Sequence, residues 1–479
     1  MKAAWLIILL EMFLYSSSLC QNITGNLELK SLVILLRSGI ESPRELLSKN
    51  STIDQWMIED NFPRTLLRAG KRQMYLLGRQ ISIDYQNFLR KINPATDFNA
   101  ISRSYSAEIT STQAFTLGLF PDTKVFNKVM TKEMMPPFPG VISEITFNTT
   151  LPAFKQPLRI RNSKVNNVDQ YFDLGQANVC PNVNKRTVQV AIDRLNDKFR
   201  FEQSYQLAKA ALDLNEEKIS SMSNKLSVYK ASRIYEYLSA QNVATKNWLF
   251  PANSTVFKDM KICNEAYLVT TIADPEINSL MSTPLISSLV KKFTLYNSTL
   301  SPFEDSPIEM YMGHDKWMTA ILIYLKIINP ECFLKPYSEG TDLNCKEFPH
   351  PSTNLIFEIY KDTVTGAHFI RTRYNGETIR IGKEPSMAKY PDMNTPAYLI
   401  KFIQSNITEN WKDMCGLGEI PNQGIVEQMS NWIIVLVIWT LSVVVIFAIG
   451  SYVIQRCYSK VARRATLYTN PMNDSLISN

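Results

Sequence analysis

Hydrophobic positions along this chain fall into two patterns, short unbroken runs and longer periodic stripes. Leu32-Val33-Ile34-Leu35-Leu36 is an apolar run of strand length. A run without alternation reads as a strand buried on both faces. From Leu66 to Leu89 the pattern changes: Leu67, Met74, Leu77 and Ile81 recur at helical spacing, which predicts a helix. Ile101-Ser102-Arg103-Ser104 carries a weaker strand signal, followed by a helix-like stretch ending at Leu117-Gly118-Leu119-Phe120-Pro121. Residues 186 to 241 are helical in pattern, with Val188, Val190, Ala191 and Leu195, then Leu207, Ala210, Ala211 and Leu214, and almost no Gly or Pro. We read about 125–265 as a mostly helical insertion capping an α/β domain. Strand signals return at Ile308-Glu309-Met310-Tyr311-Met312, then Gly313-His314-Asp315, then an apolar helix from Trp317 to Ile328. Leu355 to Tyr360 and His368 to Tyr374 read as the strands of a hairpin.

The ends of the chain carry a different kind of apolar stretch. Residues 1–20 read as a secretory signal peptide: Lys2, a mostly apolar run from Ala3 to Tyr15 interrupted by Glu11, then small residues up to Cys20. Residues 432–454 run from Trp432 to Ile454 without a charge, long enough to cross a bilayer as one helix. Arg456, Lys460, Arg463 and Arg464 follow at once, which places residues 455–479 in the cytoplasm. The expectation is a single-pass type I membrane protein with an ectodomain over residues 21–431, lumenal or extracellular. Six sequons in that region, at Asn22, Asn50, Asn148, Asn253, Asn297 and Asn406, suit a glycosylated surface.

Charge narrows the function classes. The net charge is +7, of which the tail after Ile454 supplies +3, so +4 is spread over the remainder. No basic stripe with interleaved aromatics is present, so nucleic acid is not an expected partner. Of seven cysteines, Cys20 leaves with the signal peptide and Cys457 lies at the cytoplasmic membrane edge. Cys332 and Cys345 would close a short local loop in an oxidising compartment. With three histidines and no CxxC spacing, neither a metal site nor a cofactor is expected.

The chemistry concentrates in Arg37-Ser38-Gly39-Ile40-Glu41-Ser42-Pro43, directly after the first strand. This stretch resembles the RHGxRxP signature of the histidine acid phosphatases, the lysosomal and prostatic acid phosphatase type with membrane-anchored members. Gly70 to Gly78 resembles that family's GxxQxxxLG helix, and Arg103-Ser104 through Gly118-Leu119-Phe120-Pro121 its RS…GLFP block. His314-Asp315 follows a strand as its His-Asp pair does, and Phe357-Glu358-Ile359-Tyr360 and Arg371 to Asn375 match its FELY and RxxYN pieces. The resemblance covers roughly Leu29 to Cys415. It implies the histidine phosphatase (phosphoglycerate mutase-like) fold, a three-layer α/β sheet domain with the helical cap, here with one C-terminal transmembrane helix. It also implies a bridge between Cys180, which precedes Pro181, and Cys415, which follows Trp411; such a bridge would stabilise by roughly 3–5 kcal/mol. Cys263 is left over. Members of the family are frequently homodimers, though nothing in this sequence specifies an interface.

By the same resemblance, Arg37, Arg103 and His314 converge on a phosphate or phosphomonoester, and Asp315 protonates the leaving alcohol. An arginine fork matches phosphate oxygens, and a carboxyl beside a leaving oxygen can act as general acid. Two positions depart from the pattern. Ser38 stands at the nucleophilic histidine, and Glu41 at a second phosphate-binding arginine. Ser38 cannot form a phosphohistidine, and the other histidines, His350 and His368, lie in the C-terminal half. Glu41 changes the local charge by two units and would repel a dianion, although it is a conceivable base for Ser38; Arg44 compensates in part if it turns inward. Lys316 and Trp317 occupy places where the family has two threonines, which predicts an altered polar rim. The expected protein is an inactive or strongly impaired pseudophosphatase retaining part of a phosphate pocket. The alternatives are an acid phosphatase acting on phosphate monoesters by a divergent route, and a receptor or adhesion ectodomain on this scaffold.

Overall fold

The computed structural model describes residues 26–43, 47, 64–121, 160–162, 164–165, 168–169, 195, 201–213, 228–244, 249–297, 306–334, 346–385, 389–405, 407–408, 411–414, 439–440, 442 and 448–452. It divides into two units, Met1–Gly416 and Leu417–Asn479. The signal-peptide region, Asn22, Asn50, Asn148, Asn406, Arg44, Cys180, Cys345 and Cys415 lie outside the described residues. So does most of the apolar run from Trp432 to Ile454. Among the described residues no helix is long and apolar enough to cross a membrane.

Among the described residues ten strands are present: β1 (Leu27–Arg37), β2 (Phe98–Ser102), β3 (Ile160–Asn162), β4 (Lys164–Val165), β5 (Val168–Asp169), β6 (Ile308–Gly313), β7 (Asn354–Asp362), β8 (His368–Tyr374), β9 (Glu377–Ile379) and β10 (Met393–Asn394). One eight-stranded sheet has the order β10-β8-β7-β1-β6-β2-β3, with β9 pairing β8; β4 and β5 pair separately. β1, β6, β2 and β3 run parallel, whereas β7 lies antiparallel to β1. The sheet is therefore mixed, and β1 at its centre explains the unbroken Leu32–Leu36 run. Val33 and Leu35 face one layer, containing Leu289, Phe293, Trp317 and Ile321. Leu32, Ile34 and Leu36 face the other, containing Met74, Leu77, Ile81 and Phe115. All five strand residues are fully buried, which is what two covered faces require. The strand starts earlier than the apolar run suggests, because its polar beginning pairs with β7 past a register shift between Leu29 and Ser31.

The covering helices are α1 (Arg68–Asp84), α2 (Gln86–Leu89) and α3 (Ser106–Leu119) on one face. On the other are α7 (Pro275–Asn297), α8 (Asp315–Tyr324) and α9 (Pro396–Gln404); a short α10 spans Trp411–Met414. The helix expected over Leu66–Leu89 is two helices, interrupted at Tyr85, whose hydroxyl reaches the buried Glu358. α1 and α3 cross at glycines. A Cβ on Gly78 would stand 2.1 Å from the Phe115 carbonyl oxygen, and one on Gly118 would stand 2.0 Å from that of Tyr75. Any side chain there would force the helices apart.

The insertion supplies α4 (Glu202–Leu212), α5 (Val228–Ala244) and α6 (Thr255–Thr270). These pack around their own core, including Tyr205, Leu212, Ile234, Tyr237, Met260 and Ala266. Among the described residues of the insertion, α4, α5 and α6 account for most positions. It also holds β3, which extends the main sheet, and the β4–β5 pair; strands of two or three residues are too short to leave a periodic signal. Cys263 of α6 is buried and free. Asn253 and Asn297 are exposed, as usable sequons must be.

Candidate functional site

The parallel strands end on one rim. Arg37 pairs with Gly313, and Ser102 with Met312. The Ser38 N–H donates to the Gly313 carbonyl at 2.9 Å, and the Arg103 N–H to that of Met312 at 3.0 Å. The backbone thus brings Arg37, Ser38, Arg103 and His314 to the carboxyl ends of three neighbouring strands, where ligands of open α/β sheets bind. His368 sits at the opposite end. Its strand partner is Lys361, which pairs in turn with Glu28 at the start of β1.

The loop after Arg37 is fixed by α1 and α3. The Gly39 N–H donates to Ser111 Oγ at 3.2 Å, and the Ile40 N–H to Gln73 Oε1 at 3.0 Å. A Cβ on Gly39 would come within 2.6 Å of the Gly70 carbonyl oxygen, and one on Gly70 within 2.3 Å of that of Ile40. The glycines of two separate sequence motifs therefore face each other, and the glutamine between them orients the loop. Glu41 then bridges to Leu66. On this loop Ser38, nearly fully buried, donates its hydroxyl to Glu41 Oε1 at 2.5 Å. The two departures from the family signature are thus bonded to each other.

The groups that match the family pattern are also engaged within the protein. Arg37 Nη1 donates to the Pro349 carbonyl, and its Nη2 lies 3.9 Å from Asp315 Oδ2. Arg103 Nη1 donates to Glu108 Oε1 at 2.9 Å, and its guanidinium stacks 4.1 Å over the Tyr105 ring. His314 is buried at the N-terminus of α8 and accepts the Met318 N–H at its carbonyl. Asp315 opens that helix, with Oδ1 accepting the Lys316 N–H at 2.7 Å. It serves the helix start and faces Arg37 at the same time. Lys316 has its Nζ 5.6 Å from the Tyr267 ring centroid. Trp317 is different: it is fully buried in the sheet core and does not line the rim. Its four-residue spacing to Ile321 on the apolar face of α8 is the sequence signal for that.

Two further titratable groups lie on segments distant in sequence, one of them in the loop whose Pro349 carbonyl Arg37 bonds. His350 lies in the loop before β7. Thr353 donates to the His350 carbonyl, the Arg37 N–H to that of Thr353, and the Ser352 N–H to that of Ser38. Ser352 is held at φ 64, a left-handed conformation disfavoured for a side-chain-bearing residue. Burial pushes the His350 imidazole down to about 3, helped by Lys261 and Arg37, so it stays neutral. Glu265 of α6 is buried beside Lys261, 3.6 Å away. Burial raises its carboxyl to about 7 against the pull of Lys261, with Glu347 adding to the rise and Arg37 opposing it. Among the described residues no group of acids, histidines or cysteines is arranged to hold a metal.

Comparison with known proteins agrees with this architecture. Residues 17–375 match the model of the histidine phosphatase superfamily (branch 2). No curated protein matches the chain. Among solved structures, the apo phytase of Hafnia alvei superposes with a TM-score of 0.52 at 15% identity, covering 82% of this chain and 98% of that one. A phytase from Citrobacter braakii gives 0.51 at 14%, covering 81% and 99%. The multiple inositol polyphosphate phosphatase of Bifidobacterium longum, complexed with inositol hexasulfate, gives 0.51 at 11%, covering 81% and 94%. At such identities the structural likeness speaks for the fold, and the family match carries the assignment. With the strand-end arginine, the His-Asp pair opening α8 and the facing glycines in their places, the chain belongs to the histidine phosphatase superfamily, branch 2.

Proposed function

We propose that this chain is a membrane-anchored, glycosylated pseudophosphatase. It keeps the family scaffold and a weakened phosphate site but lacks the family's covalent route. The observation that carries this reading is the Ser38–Glu41 hydrogen bond at the nucleophile position. A serine hydroxyl there offers no ring nitrogen, and a carboxylate beside it disfavours a dianion. A lost charged hydrogen bond to phosphate costs roughly 1.5–3 kcal/mol, so affinity falls at least about tenfold. The ligand class is a phosphate or phosphomonoester held by Arg37, with His314 and Asp315 on the same rim. The anchor is the run from Trp432 to Ile454 followed by four basic residues, with the N-terminal unit in a lumen or outside the cell. Bridges Cys332–Cys345 and Cys180–Cys415 belong to the same proposal, and so does a homodimer, on family grounds alone.

One observation favours a second reading. Because Ser38 donates to Glu41, a carboxylate-activated serine could attack phosphorus directly. p-Nitrophenyl phosphate at acid pH separates the two, assayed with the full-length chain purified in detergent. The first reading expects little or no turnover; clear hydrolysis sensitive to vanadate or tartrate overturns it. Titration calorimetry with inorganic phosphate then separates a retained site, with weak but saturable heat, from a receptor scaffold that binds none.

A further inference from the structure

The loop after β1 turns one carboxylate toward the strand ends. Its backbone is paired with the segment before α1. The Leu67 N–H donates to the Ile40 carbonyl at 3.1 Å and the Ser42 N–H to that of Thr65 at 2.8 Å, with Glu41 bridged to Leu66 between them. In a paired, extended stretch successive side chains alternate. Ile40 accordingly packs with Leu67, Ala69 and Ala240 of α5, and Glu41 takes the opposite side. From Ser38 to Pro43 it is the one residue that is not buried. Its carboxylate lies 2.5 Å from the Ser38 hydroxyl, and the Ser38 N–H is bound to Gly313, next to His314. The anion therefore stands where β1 and β6 end, against the residue that follows Arg37. Arg37 and Asp315 are themselves partly open, with 17% and 15% of the side chain exposed. Each arginine of the rim already faces an acid, Arg37 with Asp315 at 3.9 Å and Arg103 with Glu108 at 2.9 Å. Glu41 adds a negative charge where an arginine would add a positive one.

We propose that this pocket takes a zwitterionic ligand: a phosphomonoester that carries an ammonium group a short chain away, its phosphate at Arg37 and its ammonium at Glu41. This rests on the reading that a phosphate site persists, and it gives that site a ligand class. The case is one of charge sign. A plain phosphomonoester is close to a dianion at neutral pH, and Glu41 repels it. An ammonium on the same molecule turns that repulsion into a charge-assisted hydrogen bond, shorter and stronger than a neutral one. The carboxylate thus works in both directions, attracting one ligand and rejecting the same ligand without its cation. Each end of the ligand competes with an internal contact. The phosphate competes with Asp315 for Arg37, and the ammonium with the Ser38 hydroxyl for Glu41. These internal contacts are what keep the two charges compensated when no ligand is bound.

O-Phosphoethanolamine and n-propyl phosphate are the probes, because they match in length and differ in an ammonium against a methyl group. Calorimetry uses the full-length chain in detergent at about pH 7.5, above the second ionisation of a phosphomonoester at about 6. The ammonium ester is expected to bind at least about tenfold more tightly, the effect of one charged hydrogen bond. Glu41→Gln should abolish that preference, weakening the ammonium ester and strengthening the propyl ester. Equal affinities in the wild type overturn the proposal and leave the phosphate site standing, and so does a preference that survives in Glu41→Gln. If neither ester binds the wild-type chain, the proposal falls; if neither binds Glu41→Gln as well, the phosphate-site reading falls with it. Should Glu41→Gln fail to fold, Glu41→Arg, which carries the residue of the family signature, takes its place. That variant is expected to prefer the propyl ester, and a retained preference for the ammonium ester overturns the proposal.

Discussion

Joint reversion, Ser38→His with Glu41→Arg, is expected to raise turnover of p-nitrophenyl phosphate by several orders of magnitude. The ceiling is on the order of a millionfold, the size of effect that loss of an obligatory nucleophile produces. The reason lies in what is already on the rim. Arg37 ends β1, His314 and Asp315 open α8, and Gly39 and Gln73 fix the loop that would carry the imidazole. The arginine at 41 replaces a repelling carboxylate with a bidentate donor. Ser38→His alone should recover much less, because Glu41 stays beside the phosphate and can hydrogen-bond the new ring. Unchanged activity in the double variant would mean that the arginines cannot leave their internal partners, with Arg103 remaining on Glu108. Steady-state kinetics at acid pH, beside a thermal melt to confirm folding, read the result.

The second large effect concerns stability. Glu358 on β7 is completely buried, yet carries a carboxylate. It accepts from the Tyr85 hydroxyl, from Arg371 Nε and from the Tyr360 hydroxyl at 3.2 Å, and lies 3.8 Å from Arg373 Nη1. Arg371 also donates to the Tyr360 hydroxyl at 2.6 Å, and Arg373 lies 3.5 Å from Asp84. Glu358→Ala removes the buried anion that Arg371 and Arg373 share and an acceptor of the Tyr85 and Tyr360 hydroxyls, although both guanidinium groups keep other partners. Breaking a buried ion pair on one side costs about 3–5 kcal/mol, so the denaturation midpoint should fall sharply. Removing both partners should be milder, because most of the penalty comes from the charge left behind. Glu358→Ala combined with Arg371→Leu is expected to recover part of the loss. A midpoint for Glu358→Ala within error of the wild type would show that the network contributes specificity and not stability.

Much of this organisation is legible in the chain. The five-residue apolar run marks a central strand because both of its faces are covered. Arg37 and His314 can be placed on one rim from the strands that precede them. Gly39, Gly70, Gly78 and Gly118 stand in recognisable motifs because close backbone approach tolerates no Cβ. What escaped reading depends on which loops meet. His350 belongs to a segment whose position follows from the antiparallel pairing of β7 with β1, and no local pattern announces that. Trp317 was legible on its own, from its spacing to Ile321, but family correspondence drew attention to the pocket instead. The bond between Ser38 and Glu41 joins two substitutions that the sequence shows only one at a time.

The most direct test of the central claim is chemical trapping of a phosphoryl adduct. The full-length wild-type chain and the Ser38→His, Glu41→Arg variant are incubated with a labelled phosphomonoester at acid pH and quenched in alkali and, separately, in acid. The account predicts no label on the wild-type protein and an alkali-stable, acid-labile adduct at position 38 of the variant. Label retained by the wild-type chain would contradict it, whether acid-stable on Ser38 or acid-labile on a histidine elsewhere.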